Sequence, residues 1–113
     1  MYFNNKVAIV TGGGRGLGRS HVMDLACRKI KGILVNDFVA PDDKEGHASL
    51  QSLKKEIHDK YGCKIEINTE SVCGDGAGKR IVEQAREAFG GDVHILVNNA
   101  GIIRDKSFKK MTE

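Results

Sequence analysis

Residues 11–20, which follow the first apolar run of the chain, read TGGGRGLGRS. A glycine-rich turn between a strand and a helix is suited to holding a phosphate, because glycines allow close backbone approach and a helix start offers free N–H groups. Gly12, Gly16 and Gly18 fit the pattern T-G-x-x-x-G-x-G, a variant of the dinucleotide-binding turn. A P-loop instead needs a lysine where Arg19 stands. The stretch therefore favours a dinucleotide, with a P-loop nucleotidase as the alternative.

Short apolar runs alternate with amphipathic segments along the whole chain. Buried strands are predicted for four runs, residues 6–11, 32–37, 63–68 and 92–101. Helices are predicted for three segments with apolar residues at helical spacing, residues 16–29, 47–61 and 79–89. A polar connection with the only proline is predicted for residues 38–46. This alternation predicts an α/β fold, a doubly wound parallel sheet with helices on both faces.

The composition is that of one small globular domain. The chain has 113 residues and a net charge of +3, with lysines and arginines interspersed among acids rather than grouped in a basic block. Three cysteines form no C-x-x-C pair, and the four histidines are scattered. No signal peptide or long apolar span opens or crosses the chain. We therefore expect an intracellular protein with no metal site, no membrane segment and no nucleic-acid partner.

Asp37 ends the second predicted strand, about 20 residues after the glycine turn, which is the spacing of a ribose-binding acid. A carboxylate at that place accepts hydrogen bonds from the adenosine ribose and repels the additional phosphate of NADP. Arg15, within the turn, is a basic residue that favours that phosphate instead. We give Asp37 more weight than Arg15, so we predict NAD as the cofactor, with NADP less favoured.

A second motif, Asn-Asn-Ala-Gly at residues 98–101, follows the fourth predicted strand. Together with the glycine turn it resembles the short-chain dehydrogenase/reductase family over essentially the whole chain. Three stretches narrow the resemblance: VNDF at residues 35–38, ESV at 70–72 and NNAGIIRDKSFKKMTE at 98–113. They look like the (3R)-hydroxyacyl-CoA dehydrogenase region of peroxisomal multifunctional β-oxidation enzymes.

In family members an aspartate often stands where this chain has His94, which we interpret as a strand histidine tied to neighbouring backbone. Asp92 is a possible replacement for that carboxylate.

The resemblance implies a Rossmann-like sheet in the order 3-2-1-4, truncated after the fourth strand, so that residues 1–113 form the N-terminal part of one NAD(P)-binding domain. It also implies oxidation of a CH–OH group, with 3-hydroxyacyl-CoA as the small-molecule substrate in fatty-acid β-oxidation. The implied location is the peroxisome, with the cytoplasm as the alternative, and the implied full-length assembly is a homo-oligomer. The implied cofactor-binding residues are Gly12, Arg15, Gly16, Leu17 and Gly18 at the pyrophosphate, Asp37 at the adenosine ribose, Ser71 and Val72 at the adenine, and Asn99 at the nicotinamide-side ribose, with Ala100 and Gly101 of the same motif.

The resemblance assigns no catalytic residue to this chain. Family members transfer hydride with a serine, a tyrosine and a lysine that all lie beyond the Asn-Asn-Ala-Gly motif. Only residues 102–113 follow the motif here, and they include Ser107 but no tyrosine. We therefore expect the 113-residue chain to be inactive alone, as a fragment of a dehydrogenase, or to be a non-catalytic NAD-binding module.

Overall fold

The computed structural model of the protein describes residues 2–14 and 16–99, and these form a four-stranded parallel sheet flanked by three helices. The elements in chain order are β1 Val7–Thr11, α1 Gly16–Cys27, β2 Gly32–Asn36, α2 Lys44–Tyr61, β3 Lys64–Asn68, α3 Ala77–Phe89 and β4 Ile95–Asn98. The strands lie in the order β3-β2-β1-β4, and every hydrogen-bonded pair is parallel. The predicted fold class and strand order are confirmed.

The carboxyl ends of the four strands are aligned in register. Thr11, the last residue of β1, lies opposite Asn36 on one side and Asn98 on the other. Asn36 in turn lies opposite Asn68, the last residue of β3. All four strands therefore end in one row, and the loops that follow them leave the same edge of the sheet, where parallel α/β sheets bind ligands.

Each face of the sheet packs against its own apolar cluster, because successive strand side chains point to opposite faces. Ala8 and Val10 of β1 face α1 and α2, which contribute Val22, Leu25, Leu53 and Ile57 among others. Val7 and Ile9 face α3 through Ile81, Ala85 and Phe89. All residues of β1 and β2 are buried, as expected for central strands covered on both faces. The two central strands are thus held rigidly beneath the turn that follows β1.

The ends of the elements differ from the sequence prediction at several places. Helix α2 begins at Lys44, inside the predicted polar connection, because the Asp43 side chain accepts a hydrogen bond from the N–H of Gly46 and caps the first turn. Helix α3 also begins earlier than predicted, after Gly76, whereas α1 ends earlier, at Cys27. Each strand is shorter than its apolar run. Asp37 follows β2 rather than ending it, and of the predicted fourth strand residues 100 and 101 lie outside the described residues.

Candidate functional site

A cleft of about 580 Å³ opens at the carboxyl ends of the strands. Its volume lies within the usual range for ligand pockets, about 300–1,000 Å³. The lining residues come from the loops after all four strands and from the start of α1: Gly12, Gly16, Leu17, Asn36, Asp37, Phe38, Glu70, Ser71, Val72, Cys73 and Asn99. Seven of the predicted cofactor-binding residues are thereby brought together. Of the others, Gly18 is buried beneath the turn, and Arg15, Ala100 and Gly101 lie outside the described residues.

The glycine turn requires glycine at two positions, at Gly12 for its backbone conformation and at Gly18 for its close packing. Gly12 has a φ of +64°, in the left-handed region that glycine adopts without strain. A Cβ on Gly18, in the first turn of α1, would overlap the backbone carbonyl of Gly12 and lie 2.9 Å from the Cα of Gly13. The N–H of Gly13 also donates a 3.1 Å hydrogen bond to the carbonyl oxygen of Asn36, which ties the turn to β2. The N-terminus of α1 is therefore held directly against the end of the sheet.

Asp37 braces the glycine turn as well as lining the cleft. Its Oδ2 accepts a 3.1 Å hydrogen bond from the N–H of Gly14, and its own N–H donates to the carbonyl oxygen of Asn68 at 3.0 Å. The residue is half-buried, so the carboxylate stays in contact with the cleft. A negative charge is thus fixed beside the turn at the edge of β2.

Arg19, the residue that would replace a P-loop lysine, is engaged elsewhere. Its guanidinium forms a hydrogen-bonded ion pair with the Glu56 carboxylate of α2. A P-loop requires its cation to reach the β and γ phosphates. The contact with α2 therefore favours the dinucleotide interpretation of the turn, in which backbone N–H groups and the helix N-terminus supply the positive field.

The loop after β3 forms one wall of the cleft. Glu70, Ser71 and Val72 line this wall, and Val72 is nearly buried against the α3 side of the sheet. Phe38 stands at the mouth with 58% of its surface exposed, an unusual exposure for a large aromatic side chain. The sequence analysis missed Asn36, Phe38, Glu70 and Cys73 as lining residues. The sequence could have indicated them, because each directly follows or precedes a predicted site residue.

Thr11 fixes the segment that carries Asn99. The Thr11 hydroxyl oxygen accepts a 3.0 Å hydrogen bond from the N–H of Asn99, and it lies 3.4 Å from both the Val97 carbonyl and the Asn98 side-chain oxygen. Thr11 is completely buried. The first residue of the glycine motif therefore positions the first described residues of the Asn-Asn-Ala-Gly motif, a link that the sequence analysis did not identify.

His94 and Asp92 lie at the other end of the sheet. The Nδ1 of His94 accepts a 3.0 Å hydrogen bond from the N–H of Val7, so the interpretation of a histidine tied to neighbouring backbone is confirmed. Asp92 is 3.9 Å from the Arg86 guanidinium of α3. Both residues precede β4, whereas the cleft lies beyond its carboxyl end. Neither His94 nor Asp92 therefore borders the cleft.

A smaller, acidic cleft of about 290 Å³ adjoins the first one. Gly14, Asp37 and Phe38 border it on one side, and Asp43, Glu45 and the rest of the α2 N-terminus border it on the other. The Asp43 carboxylate caps α2, and Glu45 lies in the first turn of that helix. Three carboxylates thus surround the space immediately beside Asp37.

The three cysteines differ in exposure. Cys27 and Cys73 are exposed, Cys73 at the cleft, whereas Cys63 is buried, and burial raises the pKa of the Cys63 thiol to about 11. Residues 2–14 and 16–99 contain no cluster of three or more potential metal ligands. In the same ranges, no helix combines the length and apolarity required to cross a bilayer.

Known proteins with similar sequences include peroxisomal multifunctional enzymes. Peroxisomal multifunctional enzyme A of Dictyostelium discoideum is 42% identical over 115 residues, which cover 100% of this chain and 25% of that enzyme. The peroxisomal hydratase-dehydrogenase-epimerase of Saccharomyces cerevisiae is 39% identical over 115 residues, covering 100% of this chain and 12% of that enzyme. The chain thus spans a quarter or less of the length of these two relatives.

Solved structures with the same fold include dehydrogenases and reductases. A short chain dehydrogenase from Mycobacterium avium is 30% identical with a TM-score of 0.77, over 98% of this chain and 41% of that one. Carveol dehydrogenase from M. avium, in complex with NAD, is 28% identical with a TM-score of 0.71, over 94% of this chain and 42% of the other. L-sorbose reductase from Gluconobacter frateurii, complexed with NADPH and L-sorbose, is 26% identical with a TM-score of 0.75, over 89% of this chain and 35% of that one. The family profile described as short chain dehydrogenase matches residues 6–113. The chain therefore belongs to the short-chain dehydrogenase/reductase family of oxidoreductases.

Proposed function

We propose that residues 1–113 form the N-terminal part of a single NAD(P)-binding domain and that the cleft at the strand ends binds NAD. The observation that carries the proposal is the arrangement of two opposite charges in one cleft. The N-terminus of α1, with no acidic residue in its first turn, and the Asp37 carboxylate both border this space. A dinucleotide carries an anionic pyrophosphate and hydroxyl-bearing riboses, so it matches both groups.

The residues present fit a dinucleotide in shape as well as in charge. Close packing of Gly18 on Gly12 excludes a side chain at Gly18, which lets a pyrophosphate approach the backbone N–H groups there. Leu17 at the start of α1, together with Gly16, borders the same position. Arg15, within the turn, is proposed to join them at the pyrophosphate. This end of the cleft binds the charged centre of the cofactor.

The adenosine end of the cofactor is assigned to the loops after β2 and β3. Asp37 would accept hydrogen bonds from the ribose hydroxyls, while Ser71 and Val72 border the adenine and Phe38 covers it from the mouth of the cleft. Exposed aromatic rings such as Phe38 are suited to stacking on a base. The carboxylates of Asp37, Asp43 and Glu45, which border the smaller cleft, would repel a 2′-phosphate, which supports NAD over NADP.

The nicotinamide end is assigned to the loop after β4. Asn99 borders the cleft there and is held by Thr11, and Ala100 and Gly101 are proposed to complete this side. The bound dinucleotide supplies the hydride acceptor for oxidation of a CH–OH group. The sequence has no tyrosine after Asn99, so we assign no catalytic residue and propose that this stretch alone binds the cofactor without turning over substrate.

The substrate and setting are proposed from the relatives. Their names describe peroxisomal multifunctional enzymes, one of them a hydratase-dehydrogenase-epimerase. We propose a 3-hydroxyacyl-CoA thioester as substrate, in fatty-acid β-oxidation, with the peroxisome as location and the cytoplasm as the alternative. A homo-oligomeric state of the full-length protein stays a prediction from the family resemblance.

The test is a calorimetric titration of the protein with NAD and NADP. Asp37→Asn keeps a hydrogen-bond acceptor toward Gly14 and removes the charge, and Asp59→Asn, an exposed change on α2, is the matched control. We expect NAD to bind more tightly than NADP, and Asp37→Asn to reduce this preference by about tenfold or more, equivalent to about 1.4 kcal/mol. Equal binding of both dinucleotides, or a preference that Asp37→Asn leaves unchanged, would contradict the assignment. Magnesium-dependent binding of ATP without binding of NAD would favour the P-loop alternative.

A further inference from the structure

A network of buried and partly exposed polar side chains, centred on the buried Asn36 and Asn68, lies behind the adenosine wall of the cleft. Asn68, at the end of β3, is only 7% exposed, and both polar atoms of its side chain are used twice. Its Oδ1 accepts hydrogen bonds from the Asn36 side chain and from the N–H of Glu70, each at 2.9 Å. Its Nδ2 donates to Gln84 Oε1 at 2.8 Å and to Glu70 Oε2 at 3.3 Å. One side chain therefore joins two strands, a loop and a helix.

Glu70 borders the cleft, and each of its polar groups forms a hydrogen bond within the network. The Asn36 side chain donates to the Glu70 carbonyl oxygen at 2.9 Å, and Arg80 Nε donates to Glu70 Oε1 at 2.7 Å. The Glu70 N–H and its second carboxylate oxygen are bound by Asn68. The wall formed by residues 70–72 thus begins at a residue whose backbone and side chain are both fixed.

Gln84 extends the network to α3 without bordering the cleft. Its Nε2 donates to the Ile67 carbonyl oxygen and to Glu66 Oε1, both at 3.0 Å, while its Oε1 accepts from Asn68. Buried polar groups are costly unless each is satisfied, and a fully satisfied network fixes one geometry. Apolar residues in these places would stabilise the fold comparably, but they would not hold the loop in a single position.

We propose that Asn68 and Gln84 are positioning residues that set the adenosine-side wall of the cofactor cleft. Gln84 acts through Asn68, and Asn68 acts through the backbone and side chain of Glu70. The inference rests on the proposed function, because it requires that the adenosine half of a dinucleotide lie against residues 70–72. It goes beyond that function by assigning a role in affinity to two side chains that do not border the cleft.

The experiment compares two halves of the cofactor as separate probes, AMP and nicotinamide mononucleotide, each titrated by calorimetry. Gln84→Met keeps the length of the side chain and removes its three hydrogen bonds, and Gln51→Met, an exposed change on α2, is the matched control. We expect Gln84→Met to weaken the binding of AMP about tenfold, or about 1.4 kcal/mol. The affinity for nicotinamide mononucleotide should change less than about twofold. Gln51→Met should change neither.

Asn68→Ala and the double variant complete a cycle that tests the order of action. If Gln84 acts through Asn68, the losses of AMP affinity are strongly non-additive. Should Asn68→Ala fail to fold, Gln84→Met decides alone. Equal weakening of both probes, or unchanged AMP affinity with a lowered melting temperature, would mean that the network is merely structural and would overturn the inference. If the unsubstituted protein binds neither probe, the proposed function itself fails, and the inference with it.

Discussion

The substitution Gly18→Ala tests whether close backbone packing governs the glycine turn. Two effects of opposite sign compete at this position. Alanine is favoured over glycine inside a helix by about 1 kcal/mol, so helix propensity alone predicts a more stable protein. Against this, the added Cβ would overlap the Gly12 carbonyl and lie 2.9 Å from the Gly13 Cα. Both obstacles are backbone, so no side chain can move aside, and overpacking of this kind costs about 1–3 kcal/mol.

We therefore expect Gly18→Ala to lower the free energy of unfolding, measured by urea denaturation, by up to about 2 kcal/mol after the helix gain is subtracted. The turn would have to retreat by a distance on the order of 1 Å, and misplacement of that size can cost about 100-fold in function. NAD affinity, measured by calorimetry, should fall accordingly. Gly91→Ala is the control, because a Cβ there meets no atom within 4 Å. A stabilised Gly18→Ala variant with unchanged NAD affinity would refute the reasoning.

Three further predictions concern other parts of the protein. Thr11→Val removes the oxygen that accepts a hydrogen bond from the N–H of Asn99. It should weaken the binding of nicotinamide mononucleotide about tenfold and leave AMP affinity unchanged in the same titrations. Asp43→Ser, which keeps a capping side chain, combined with Glu45→Gln should strengthen NADPH binding measured by fluorescence, because the two carboxylates that share the smaller cleft with Asp37 lose their charge. Burial raises the pKa of Cys63 from 9.0 to about 11, so its thiol should resist alkylation at pH 8 until the protein unfolds. Its contribution to stability should persist below about pH 9 and disappear as the pH rises to about 11, a slope that Cys63→Ala removes from urea-denaturation curves.

The sequence predicted those features that depend on periodicity and on glycine. Parallel strands covered on both faces produce continuous apolar runs, so β1 and β2 were recognisable without any partner. The start of α2 was missed because the capping by Asp43 is a local hydrogen bond within a stretch whose proline and charges are typical of a loop. The Asn36–Asn68–Gln84 network was not predictable either. Its members are far apart in the chain, and only the register of β2 and β3 brings Asn36 beside Asn68.

The two helices that begin beside the clefts differ in a way that determines where an anion can bind. Helix α2 carries its own acids at its N-terminus, Asp43 as cap and Glu45 in the first turn, so that its positive dipole end is already compensated. Helix α1 has no acidic residue in its first turn, so its positive dipole end is not compensated in this way. An anionic group is therefore favoured at the N-terminus of α1 over that of α2. The Asp37 carboxylate accepts a hydrogen bond from the N–H of Gly14, in the turn before α1. Under the proposed function, a pyrophosphate would therefore lie at α1 and the hydroxyl groups of a ribose would lie at Asp37.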